Sequence, residues 1–124
     1  MAVGALNEAS NATGINGSQV SNASAGAGAV YVYTRSMGTW TQQAYIKASN
    51  TGTGDSFGVA VSLSSDGATL AVRAQYEASN ATGIGGNQAD NSAAQAGAVY
   101  VFTRSMGTWS QQAYIKASNT NAVD

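Results

Sequence analysis

The chain contains no cysteine, no histidine and no proline. Without cysteine there is no disulfide and no thiol nucleophile. Without histidine there is no imidazole base, and Cys/His zinc sites are excluded with it. Serine and threonine are plentiful, but a serine nucleophile needs a basic partner. The only lysines, Lys47 and Lys116, read as the ends of outer strands. Charge is also scarce: 9% of residues are charged and the net charge is −1, where a quarter charged is usual. That leaves no basic patch for nucleic acid and no polybasic segment for a membrane surface. No apolar run is long enough to enter and cross a bilayer. The opening Met1-Ala2-Val3-Gly4 lacks the charged start and apolar core of a signal peptide, so none is expected here.

What remains is rich in Gly, Ala, Ser, Thr and Asn, with no stripe of helical period. The most informative stretch is Phe57 to Arg73. Phe57, Val59, Val61 and Leu63 alternate with small residues, as in a strand. Asp66-Gly67 marks a tight turn, since glycine accepts positive φ. Leu70 and Val72 then alternate with Thr69 and Ala71. Both faces of this hairpin are small or apolar, so both are expected to be covered.

The rest of the chain occurs twice. Residues 2–55 align without a gap onto 71–124 at a constant offset of 69. Glu8–Ile15 returns at Glu77–Ile84, Gly28–Trp40 at Gly97–Trp109, and Gln42–Thr51 at Gln111–Thr120. One period predicts four strands: the hairpin pair, Ala98–Arg104, and Thr108–Ala117 after a turn at Ser105-Met106-Gly107. Alternation in the last strand places Trp109, Gln111, Ala113 and Ile115 on one face. The other face, with Ser110, Gln112, Tyr114 and Lys116, reads as a more polar outer surface. A repeated four-stranded antiparallel unit with two apolar faces suits a β-propeller blade, which buries its faces against neighbouring blades.

These segments resemble FG-GAP repeats of the bacterial, integrin-like kind. Phe57-Gly58 stands at the FG position. Gly4-Ala5-Leu6 and Arg73-Ala74-Gln75 stand at the Gly-Ala-Pro position, with Leu6 and Gln75 in place of proline and Arg73 in place of one glycine, which alters that turn. Gly97–Phe102 and Trp109–Gln112 match the third and fourth strands. The resemblance implies an all-β fold of four-stranded antiparallel blades, in extracellular or cell-surface proteins used for binding or adhesion. Ser64-Ser65-Asp66-Gly67 lacks the acidic ladder of calcium-binding members. That departure argues against calcium at this turn; calcium is the one cofactor the resemblance raises, and none is otherwise expected.

Residues 1–55 read as an incomplete blade, with strands two to four and a connecting loop. Residues 56–124 read as a complete one. The chain thus carries about 1.75 blades, whereas a closed propeller uses roughly four to eight. Exposed blade faces and an open strand edge invite self-association. The expectation is a homo-oligomer completing a ring, with a filament as the alternative. Partners such as nucleic acid or an inserted membrane are not expected.

Candidate chemistry is thin, and no catalytic, cofactor-binding or metal residue is assigned. Glu8 and Glu77 occupy one repeat position, and Asp55 and Asp124 another, so each pair more simply serves the same loop twice. Asp66 reads as a turn residue. Structural roles fall to Phe57, Gly58, Asp66 and Gly67, and to Trp40, Trp109, Tyr31 and Tyr100 as packing between blades. The segments Leu6–Ala27 and Gln75–Ala96 are unusually long for loops. Their Asn11, Asn16, Asn22, Asn80, Asn87 and Asp90, with Asp55 nearby, offer a face for a glycan, another surface ligand or a cation. The competing reading is a solvated loop bonding its own backbone. The glycosylation sequons at Asn11, Asn22 and Asn80 follow from composition.

Overall fold

The computed structural model describes all residues, 1–124. The chain is all-β, with seven strands: β1 (Ala2–Ala5), β2 (Ala29–Ser36), β3 (Thr39–Ile46), β4 (Phe57–Leu63), β5 (Thr69–Ala74), β6 (Ala98–Ser105) and β7 (Thr108–Ile115). They form two antiparallel sheets, β1-β2-β3 and β4-β5-β6-β7, each in simple sequential order. This is the meander of a propeller blade, once with three strands and once with four.

Local chemistry sets each turn. Met37-Gly38 and Met106-Gly107 both have positive φ at two successive residues. That is the primed turn whose twist matches a two-residue hairpin, and it pairs Ser36 with Thr39 and Ser105 with Thr108. Between β4 and β5, the Asp66 carboxylate accepts from Ser64 Oγ at 2.6 Å and Ala68 N–H at 3.0 Å. Those two bonds hold its carboxyl below the usual range.

Two expectations about strand faces are corrected. The pairing shifts register between Val101 and Phe102, so Gln112 is an extra residue on β7. A bulge of this kind reverses the alternation beyond it. Tyr114 therefore joins Trp109 and Gln111 on the face of Tyr100 and Phe102, while Ala113 and Ile115 turn away beside Val101 and Val99. Tyr114 and Lys116 are consequently buried rather than polar and outward. The shift recurs between Val32 and Tyr33, which makes Gln43 the extra residue on β3. The β4–β5 hairpin is also covered on one face only. Leu70, Val72 and Ala74 are buried, but Ala60, Ser62 and Arg73 are exposed, because no sheet lies over them.

The core lies between the sheets. Val30, Val32, Ala44 and Ile46 of the first sheet, with Ala48 just beyond it, share one cluster with Phe57, Leu70, Val72, Tyr100 and Phe102 of the second. Phe57 meets Tyr100 and Phe102 edge-on, at 5.3 and 6.2 Å between ring centres, a geometry favoured by the ring quadrupoles. The backbones meet most tightly where Gly28 abuts Phe57 and where β1 abuts β4. A Cβ on Gly4 would lie 2.0 Å from the Gly58 carbonyl oxygen, so the backbones meet only because that position is glycine.

Candidate functional site

The long segments between strands two and three do not project as free loops. Each folds back along the outer strand of its own sheet. Lys47 N–H donates to the Gly14 carbonyl and Lys116 N–H to that of Gly83, both at 2.8 Å. Ile15 bridges to Ile46 and Ile84 to Ile115. These straps satisfy backbone groups at the end of an edge that would otherwise template a new strand.

Several expected ligand residues are engaged within the straps. Asn16 Oδ1 accepts from Tyr45 N–H at 3.0 Å, and Asn87 Oδ1 accepts from Ala89 N–H at 3.0 Å. Asp90 Oδ1 accepts from the backbone N–H groups of Ser92 and Asn80, which lower its pKa. Asn11, Asn22 and Asn80 are exposed at separate points of the two straps. No three acidic, cysteine or histidine side chains gather to hold a metal ion.

Beneath each strap lies a feature that strand patterns did not foretell. Lys47 Nζ contacts Glu8 Oε2 and Lys116 Nζ contacts Glu77 Oε2, each at 2.8 Å. The second pair is buried, with Glu77 1% exposed at its side chain; Glu8 retains 12%. The available signal was that a chain so poor in charge keeps a Glu and a Lys at the same spacing in both copies. Each Lys falls on the tyrosine-bearing face of its sheet, beneath the strap, because of the bulge in the strand before it.

Around Glu77 the two sheets are joined by polar contacts. Asn50, in the loop after β3, donates Nδ2–H to Glu77 Oε1 at 3.1 Å and to the Gln88 carbonyl at 2.8 Å. Its Oδ1 accepts from the Tyr100 hydroxyl. Asp55 lies close by and accepts from Gly52 N–H at 3.0 Å. Burial, then the Glu77 charge, push Asp55 up to about 6, against the pull of Gly52 and Lys116. Burial likewise raises the Tyr100 and Tyr114 hydroxyls, and lifts Tyr45 to about 12. Glu77, Lys116, Asn50 and Tyr100 are partnered with one another, whereas the buried hydroxyls of Tyr45 and Tyr114 have no hydrogen-bond partner.

The family model described as an FG-GAP repeat matches residues 40–102, just over half of the chain. The chain belongs to the FG-GAP repeat family. No curated protein and no solved structure matches it significantly. The FG-GAP match runs from β3, through Phe57-Gly58, to β6, and so spans the junction between the two sheets.

The FG dipeptide makes that junction. Phe57 N–H donates to the Ala27 carbonyl at 3.0 Å, and Gly28 bridges to Phe57 in parallel. Phe57 and Gly58 are both buried, and Gly58 takes a φ of 89° that only glycine adopts freely. The aromatic residues divide by copy. Trp109 is buried and donates Nε1–H to Gln43 Oε1 of the other sheet at 3.0 Å, whereas Trp40 is 51% exposed. Within one chain no sheet faces the Trp40 side, so the packing between blades expected of Trp40 has no partner there. Tyr100 is fully buried and Tyr31 only partly. The outstanding surface of this FG-GAP protein is thus a pair of sheet faces, one on each side.

Proposed function

We propose that this FG-GAP chain is a non-enzymatic structural module that associates with copies of itself, each supplying blades to a larger array. One observation carries this reading. Val30, Val32, Ala44 and Ile46 are buried between the sheets, while their repeat counterparts Val99, Val101, Ala113 and Ile115 are part-exposed on the outside. Identical residues of one copy meet a neighbouring sheet, and those of the other meet solvent.

Burying an aliphatic side chain is worth about 1.5–3 kcal/mol, so a few such residues supply a driving force for association. The low net charge offers little repulsion against it. A contact repeated head to tail closes into a ring if its rotation permits, and otherwise propagates as a filament. FG-GAP repeats are typically extracellular, and the same reading places this module at a cell surface. Sedimentation velocity over a concentration series tests the proposal. The expected result is a mass above one chain that falls on dilution; a single-chain mass throughout overturns it.

A further inference from the structure

We infer that the contact is heterologous: the Val99–Val101 face of one copy receives the Tyr31–Tyr33 face of a second. This rests on the self-assembly proposed above and names its surfaces. The template is the junction already present within the chain. There, the second sheet offers Tyr100 and Phe102 to the Val30 and Val32 side of the first. The first sheet carries Tyr31 and Tyr33 at the equivalent places, part-exposed on its outer side.

The polar groups repeat as well. Asn50 clasps Tyr100 and Glu77 across the internal junction. Its counterpart Asn119 is exposed at the edge of the second sheet, and Tyr31 and the partly open Glu8 are the groups it meets on the next copy. Gln43 accepts from Trp109. Its counterpart Gln112 is exposed, and so is Trp40. Asn119 and Gln112, left open on one outer face, thus have their complements Tyr31, Glu8 and Trp40 open on the other.

Arg73 decides which sheet fits. It stands where the first copy has Gly4, whose lack of a Cβ lets β4 approach to within 2.0 Å of the Cβ position. A blade carrying an FG strand would therefore collide with Arg73 if it docked in the same way. The first sheet is β1-β2-β3, and the FG strand β4 belongs to the second. The groove equivalent to the seat of Phe57, about 300 Å³ beside Gly97, Val99 and Ile115, is lined instead by Arg73. The outer face thus admits the three-stranded sheet of another copy and excludes a complete FG-bearing blade.

Mixing two variants tests the assignment by sedimentation. Val101→Arg disables one face and Tyr33→Arg the other, with circular dichroism confirming that each folds. Gln112→Arg and Trp40→Ala, both at exposed sites, serve as the second pair if either fails to fold. Each variant alone is expected to sediment as one chain, and their equimolar mixture as a one-to-one heterodimer, since one intact face of each kind remains. If either variant alone still associates as wild type does, the assignment is overturned while self-assembly stands. If wild type itself stays a single chain, both are overturned.

Discussion

The two copies of the repeat are the best comparison the molecule offers. Trp40 and Trp109 occupy one position, as do Ile46 and Ile115, and Tyr31 and Tyr100. In each pair one residue is buried and the other open. Near-identical strands in near-identical sheets differ because only one side of each sheet has a neighbour. Burial here belongs to the stacking of sheets, as it does in repeat architectures generally.

Mutations at matched positions sharpen that contrast. The largest difference is expected at the ion pairs. Glu77→Ala strands Lys116 in a closed interior and costs on the order of 3–5 kcal/mol. Glu8→Ala costs less, because solvent already reaches that site. Urea melts of the two variants measure this directly, and equal losses would break the comparison. Trp109→Ala comes next, at about 3–5 kcal/mol for a buried aromatic. Trp40→Ala, measured on the dilute single chain, stays within about 0.5 kcal/mol.

Asp55 gives a smaller, pH-dependent effect. Its carboxyl sits at about 6 in the folded chain, against an ordinary 3.8. The folded chain therefore holds that proton more tightly than the unfolded one. The Asp55 contribution to stability grows as pH falls from 7 through 6, and levels off below about 4. Melting wild type and Asp55→Asn across this range should show the slope in the difference between them. A difference that is flat with pH contradicts the burial assigned to this group. The smallest effect lies at the hairpin tips. Met37→Asn and Met106→Asn should each stabilise by a few tenths of a kcal/mol, because Asn-Gly suits the primed turn better. Here the copies should agree, since a local turn does not depend on what covers the sheet.

Much of the fold was legible in the residues. The period of 69 and the Phe57–Arg73 hairpin sufficed for the strand order, because alternation and turn residues act locally. The faces of β3 and β7 were not legible. One extra glutamine reverses each alternation, and nothing in Gln42-Gln43 or Gln111-Gln112 says which is the bulge. The Glu–Lys pairs were hidden for the same reason, since the bulge is what turns each Lys onto the tyrosine-bearing face beneath its strap. The straps looked like open binding loops because their length was visible but their return along the strand edge was not. The difference between Trp40 and Trp109 is invisible by construction, as both sit in the same local sequence.

The exposed Trp40 provides the most direct measurement. The chain has two tryptophans, so Trp109→Phe leaves Trp40 as the sole reporter. Its emission should move to shorter wavelength, and its quenching by acrylamide should fall, as concentration rises and copies stack over the Tyr31–Tyr33 face. Emission that stays that of a solvated indole while the mass grows would contradict the account, because copies would then be meeting somewhere else.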